Sequence, residues 1–337
     1  MLFSAGLVAT LLLQTFPAVA QEQKQAFTDV SAKHFAYEAV EYLHQRNMLE
    51  GYPDGSFRPQ NKVNRAEALK LIVDPLMTDN DRIRKAPSPF SDVPGNAWYL
   101  PYVEWARMRG GIIQAPPVSK TFDAGKNVTK AEFIKMFLSS RGIDTKSFND
   151  VQLPFSKDVS NVKEWHYPYM RYAIASSMTA AAQDGLYSPN RDITRSDVAI
   201  FLHRFFLYRL GQRTQALLSE TERELTKTID ALAADNPAGA DFTSARALLM
   251  MRGALDVRPS EAMVKAVLKV TEGYRSLVRA FRASKEKNWE SVVKLAGDAF
   301  YLGDQAKKAS PNAATLANQL QGYAKSFADQ ARREIKK

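Results

Sequence analysis

Three positively charged side chains recur at equal intervals along the chain: Arg65, Lys130 and Arg195, spaced 65 positions apart. Each follows Asn or Thr and is followed by a small residue and then by an acid, as in residues 64–67. Guanidinium and ammonium groups bind carboxylates and phosphates through charge-assisted hydrogen bonds. The three residues are therefore candidates for binding an anion at three related positions.

Each of these basic residues is predicted to be the first residue of a helix. The residue before it is a good N-cap, and the acid three positions after the N-cap completes a capping box. A cation at this position is unfavourable by a few tenths of a kcal/mol, because the helix start carries positive partial charge. The same start offers free N–H donors that bind anions. Two interpretations stay open, an anion pocket or a surface cation paired with the adjacent acid. The predicted capping pairs are Asn64 with Glu67, Thr129 with Glu132, and Thr194 with Asp197.

Other kinds of chemistry have little support in the composition. The 337 residues include no Cys and only four His, which excludes thiolate metal sites, Cys nucleophiles and disulfides. No nucleophile-elbow, zinc-protease or phosphate-loop signature occurs. The sequence therefore predicts a protein that is not an enzyme and that has no metal and no cofactor. The net charge of +10 indicates an anionic partner.

The basic residues lie in three copies of one unit. The copies begin at Phe27, Phe90 and Phe155, and each carries an aromatic residue eight positions before its basic residue. Apolar residues at helical spacing, interrupted by turns such as residues 51–55, predict a helix, a loop and a second helix in each copy. A mainly all-α protein is therefore expected. A further aromatic residue follows the start of each unit, at Phe35, Trp98 and Trp165.

These units resemble surface-layer homology domains. Unit one matches their Gly-Tyr-Pro-Asp-Gly loop at residues 51–55, whereas unit two has a divergent loop between Gln114 and Phe122. The resemblance implies a compact pseudo-threefold arrangement of helical units within one chain. It also implies grooves between the units that bind anionic, often pyruvylated, cell-wall polysaccharide. The units are assigned to residues 27–83, 90–145 and 155–208.

The resemblance also implies roles for particular residues. Arg65, Lys130 and Arg195 would pair with the anionic sugar substituent, and Trp98 and Trp165 would stack on the sugar or form the groove wall. Plain core packing is the alternative role for these aromatic residues, and unit one has phenylalanine at this position. The groove with the lysine is expected to bind more weakly, since an ammonium lacks the two-pronged donor geometry of arginine.

Residues 211–337 are predicted to form a separate helical bundle or array of helical hairpins. Breaks in the apolar pattern occur near residues 235–239, 258–260, 284–288 and 310–311. An envelope protein is the expected partner of these helices, and no nucleic acid is expected. The alternatives are a wall-active enzyme with its site in this region, and a basic tail that binds membranes or nucleic acid.

The first 20 residues are predicted to be a secretory signal peptide. Residues 7–13 form a short apolar run, and Ala18-Val19-Ala20 fits a small-x-small cleavage site. No later stretch is apolar enough to predict a transmembrane segment. We therefore expect an exported protein, either attached to the cell surface, cell wall or surface layer, or secreted.

Overall fold

The computed structural model of the protein describes residues 25–83, 88–114, 119–152 and 154–337. The predicted signal peptide and residues 115–118 of the divergent loop lie outside this part. The described residues are mainly helical and show only isolated β-bridges, which confirms the predicted fold class. The α-helices are α1 (Tyr37–His44), α2 (Arg65–Val73), α3 (Asp79–Ile83), α4 (Leu100–Arg109), α5 (Lys130–Ser140), α6 (Tyr167–Ala175), α7 (Arg195–Arg209), α8 (Thr214–Ala233), α9 (Pro237–Val257), α10 (Ala262–Lys285), α11 (Trp289–Ala309) and α12 (Ala314–Ile335).

Each repeat unit has a short first helix, a loop and a capped second helix. The second helices α2, α5 and α7 begin at the three basic residues, as predicted. In each helix the N-cap side chain accepts a hydrogen bond from the N–H three residues later, and the acid there accepts one from the N-cap N–H. All three predicted capping boxes are formed: Asn64 with Glu67, Thr129 with Glu132, and Thr194 with Asp197.

The three units meet in a closed ring of backbone hydrogen bonds. The N–H of Val63 donates to the carbonyl of Ile193 (3.0 Å), and the N–H of Ile193 donates to the carbonyl of Val128 (2.9 Å). The N–H of Val128 closes the ring on the carbonyl of Val63 (3.0 Å). Each ring residue lies two positions before a basic residue, so the ring gathers the three helix starts around one pseudo-threefold centre.

An aspartate in the opening motif of each unit holds the loop of that unit. Asp29 accepts hydrogen bonds from the N–H groups of Phe57 and Arg58, both at 2.7 Å. Arg58 has a φ of 56°, in the left-handed region that residues with a Cβ seldom adopt. The carboxylate therefore stabilises an unfavourable loop conformation beside a buried aromatic ring. The arrangement recurs twice: Asp92 binds Phe122 and Asp123, and Asp158 binds Tyr187 and Ser188.

Helices α8–α12 follow one another as packed neighbours and are docked onto unit three. Helix α9 packs on α6, where the Cα of Gly253 lies close to the carbonyl of Ala175. The buried hydroxyl of Tyr208 donates to the Gly253 carbonyl (3.1 Å) and to the carboxylate of Asp256 (2.9 Å). One apolar core continues from the repeat units into α8, α9 and α10, and a second core joins helices α8–α12. None of the helices within the described ranges is both long and apolar enough to cross a membrane.

Candidate functional site

The predicted free N–H groups at the three helix starts are not free in the structure. The N–H groups of Arg65 and Ala66 donate to the carbonyls of Lys126 (2.9 Å) and Ala124 (3.1 Å) in the next unit. The third N–H of the helix is bound by the capping side chain. The equivalent groups of α5 and α7 are paired in the same way. The prediction of an anion pocket built on backbone donors is therefore wrong, because loops of neighbouring units close on the helix starts.

The basic side chains connect one unit to the next. The Nε of Arg65 donates to the carbonyl of Phe122 at 2.7 Å. Lys130 and Arg195 make the equivalent bonds, Nζ to the carbonyl of Tyr187 and Nε to the carbonyl of Phe57, both at 2.8 Å. Each cation therefore binds the main chain beside the buried aromatic residue of the following unit.

Within the described part of the chain, carboxylates act on Lys130 and Arg195 only from beyond salt-bridge distance, as Asp197 and Glu67 do. None of them takes part in a salt bridge there, so the interpretation as cations paired with the adjacent acid is wrong. The Nη groups of Arg65 make no hydrogen bond with described residues, and Arg195 uses only one Nη group, towards the carbonyl of Glu50. Both guanidinium groups thus keep donors for another acceptor.

Arg65 lines a cavity of about 360 Å³ between the units, called here the Arg65 groove. Two further cations, Lys126 and Lys135, face the same space. Burial, and after it the positive charge of Arg65, lower the pKa of Lys135. These three cations outnumber the two carboxylates that line the cavity, Asp123 and Glu132, so an anionic ligand would relieve the remaining repulsion. The groove is defined by Arg65, Thr121, Lys126, Glu132, Lys135 and Trp165.

Arg195 lines a larger cavity of about 700 Å³, called here the Arg195 groove. Its guanidinium lies 5.0 Å from the ring centroid of Tyr52 and 4.6 Å from that of Phe57. Burial lowers the pKa of Arg195, although an arginine remains charged at neutral pH. The groove is defined by Arg46, Tyr52, Glu67, Lys70, Trp98 and Arg195.

The two grooves are built from equivalent positions of the repeats. Each takes its arginine from one unit, its helix from the next and its tryptophan from the remaining unit. Lys70 and Lys135 were not predicted as site residues, yet each lies five positions after the basic residue of its own helix. Lys70 and Lys135 are 65 positions apart, so the repeat spacing that relates Arg65 to Lys130 could have identified them.

The tryptophans are groove-wall residues rather than core residues. Trp98 is 57% exposed and Trp165 is 49% exposed, and they line the Arg195 groove and the Arg65 groove respectively. Phe35 is 68% exposed, so core packing is the wrong interpretation for all three positions. Each cavity is thus lined by an exposed indole, which is a flat apolar surface, and by a guanidinium without a salt bridge to described residues.

The comparison with known proteins agrees with the repeat pattern. The family profile described as S-layer homology domain matches residues 26–69, 89–134 and 157–199. These three segments are S-layer homology domains, and the matches coincide with the three units and contain the three basic residues.

Several curated proteins are similar to this chain. An uncharacterized cell wall amidase of Bacillus anthracis is 28% identical over 60% of this chain and 35% of its own length. A surface-layer 125 kDa protein of Lysinibacillus sphaericus is 26% identical over 60% of this chain and 16% of its own length. A cellulosome-anchoring protein of Acetivibrio thermocellus is 28% identical over 46% of this chain and 34% of its own length. The chain thus matches about a third or less of each of these relatives.

Proposed function

We propose that the protein is held non-covalently at the bacterial cell surface by binding an anionic cell-wall polysaccharide in the Arg65 and Arg195 grooves. The observation that carries this proposal is that each groove is lined by an exposed tryptophan and by a guanidinium without a salt bridge to described residues. The S-layer homology domains and the surface-layer and anchoring relatives support the same location.

The chemistry of the ligand follows from the guanidinium donors of Arg65 and Arg195 that make no hydrogen bond with described residues. With Nε used internally, Arg65 has both Nη groups available to a carboxylate, which binds guanidinium groups at about 2.7–2.9 Å. The pyruvyl ketal of a wall sugar carries such a carboxylate, and the adjacent sugar ring can pack on the face of Trp165. The Arg195 groove offers the same combination with Trp98.

A sedimentation assay with cell-wall sacculi that retain their polysaccharide tests the proposal. Charge-assisted hydrogen bonds contribute about 1.5–3 kcal/mol each, so Arg65→Ala and Arg195→Ala should each weaken binding by roughly 10- to 100-fold. Arg333→Ala removes an exposed charge from the far end of α12 and is the matched control. Binding should also fall with added salt.

Two conservative variants separate ligand binding from the contact between units. Arg65→Lys and Arg195→Lys keep a donor for the neighbouring carbonyl, as Lys130 does naturally at 2.8 Å. They lose the forked geometry, so we expect wild-type stability with binding weakened to a smaller extent than in the alanine variants. Unchanged sedimentation of folded Arg65→Ala and Arg195→Ala proteins would refute the assignment of the site.

The proposal treats the chain as a binding protein and assigns helices α8–α12 to contact with an envelope partner. Its support is the lack of a catalytic motif in the sequence together with the repeat architecture. A zymogram of the full chain on peptidoglycan tests this part, and a cleared band would overturn it. Steep salt-dependent retention on DNA or on anionic vesicles, lost on deleting the last basic helix, would instead favour the basic-tail alternative.

A further inference from the structure

The pseudo-threefold symmetry defines a third position equivalent to the two grooves. It contains Lys130 from unit two, helix α7 and its preceding loop from unit three, and Phe35 from unit one. Ser177 occupies the place of Asn47, since both lie at the same point of the loop with φ of 53° and 54°. Asn47 lines the open Arg195 groove, so Ser177 marks the matching wall of the third position.

The side chains at the third position lack the chemistry of the other two. Ile200 stands five residues after the start of its helix, where Lys70 and Lys135 stand in α2 and α5. Phenylalanine replaces the groove tryptophan, and lysine replaces the arginine. The third position therefore lacks the helix lysine, the tryptophan and the arginine of the open grooves. Burial lowers the pKa of Lys130, and two further cations, Arg191 and Arg204, lie near enough to lower it as well. Arg191 is already paired with Asp197 at 3.0 Å.

Helix α8 covers the loop side of this position. The hydroxyl of Ser177, which is 1% exposed, donates to the carboxylate of Glu220 (3.0 Å) and accepts a hydrogen bond from Arg213 (2.6 Å). Arg213 and Glu220 also form an ion pair at 3.5 Å. Leu217, on the same helix, is fully buried in the core that continues from the repeat units. By contrast, Asn47 is exposed in the open groove.

Helix α9 covers the third position where Tyr187 lies. Tyr187 takes the place of Phe57 and Phe122, and its hydroxyl interacts with the guanidinium of Arg246. Arg246 forms an ion pair with Glu224 of α8 at 2.6 Å, and both side chains are nearly nine-tenths buried. A charged pair buried over the third position is costly to uncover, because each ion would lose its partner.

We propose that the protein has two ligand grooves rather than three, and that helices α8 and α9 permanently cover the unit-three side of the third, whereas Phe35 on its unit-one side stays exposed. This inference rests on the proposed function for the two open grooves. It assigns the third inter-unit position to docking of the C-terminal helices. The repeat units therefore bind wall polymer on two sides and hold the helical array on the remaining side.

Cysteine labelling tests the closure without any ligand, because the chain contains no native Cys. Asn47→Cys and Ser177→Cys place one thiol at equivalent points of the open and the closed position. A maleimide reagent should modify the first rapidly and the second at least about tenfold more slowly, since the buried site must open first. Equal labelling rates in two folded proteins would overturn the closure.

Native mass spectrometry of the full chain then counts the binding sites. The probe is the pyruvyl ketal of a methyl N-acetylhexosaminide, with the same glycoside lacking the ketal as the uncharged control. We expect two molecules bound to the wild type and to Lys130→Met, and one to Arg65→Ala or Arg195→Ala. A third bound molecule that Lys130→Met removes would overturn the inference. No binding of either glycoside or of wall sacculi by the wild type, with Ser177→Cys still protected, would instead overturn the proposed function.

Discussion

The docking of α9 on α6 depends on the absence of a side chain at Gly253. A Cβ built there would lie 1.8 Å from the main-chain oxygen of Ala175, whereas ordinary contact begins at 3.4 Å. Gly253→Ala must therefore separate the two helices by about 1.6 Å. Overpacking of this kind costs about 1–3 kcal/mol, and alanine returns up to about 1 kcal/mol through its higher helix propensity. We expect a net loss of about 1 kcal/mol in the free energy of unfolding, rising to about 2 kcal/mol if the helices yield little.

Urea unfolding followed by far-UV circular dichroism measures this loss. The matched control is Gly297→Ala in α11, because a Cβ at Gly297 meets no atom within 4 Å. That substitution should stabilise the protein by about 0.5–1 kcal/mol through helix propensity alone. Replacing glycine by alanine is thus expected to lower the free energy of unfolding in α9 and to raise it in α11. Equal stabilisation by both changes would show that α9 does not approach Ala175, and the docking described here would be incorrect.

Three further predictions concern the repeat units. Burial lowers the pKa of Lys130 to about 8, so the folded protein releases this proton while the unfolded chain still holds it. Stability should therefore rise between about pH 8 and 10, by up to about 1.4 kcal/mol per pH unit, and the rise should be smaller in Lys130→Met when urea midpoints are compared. Asp92→Asn leaves one acceptor oxygen for the two N–H groups that the carboxylate binds. Calorimetry should therefore show a lower melting temperature for this variant. Asp298→Asn, on the exposed face of α11, should leave the melting temperature unchanged. Thr129→Ala removes the N-cap of α5 and should cost about 1 kcal/mol, with Thr129→Ser close to the wild type.

The helix starts and their caps could be predicted because their signals are local. An N-cap, the basic residue and the acid lie within four positions, and physical chemistry assigns each a role. Only the family resemblance predicts the two tryptophans at groove walls, and in the structure they line the two cavities. Residue chemistry alone left core packing open, since an aromatic residue two positions before a helix can face either way.

The errors concern contacts between residues that are distant in the sequence. Arg65 and the carbonyl of Phe122 are separated by 57 positions, and no spacing rule says which loop closes on which helix start. The pairing of Tyr187 with Arg246 likewise joins two domains that were predicted to be separate. Such contacts depend on the order in which units pack, and that order is a property of the whole fold.

The closure of the loops also explains why a cation is tolerated at a helix start. Three carbonyl oxygens, from Phe122, Ala124 and Lys126, converge on the first residues of α2. Their negative partial charge offsets the positive end of the helix dipole, which would otherwise disfavour Arg65. The cation therefore serves first as a connection between units, and its Nη groups make no hydrogen bond with described residues. If the proposed function holds, Arg65 serves both ligand binding and assembly of the repeats, and the lysine variants separate the two roles.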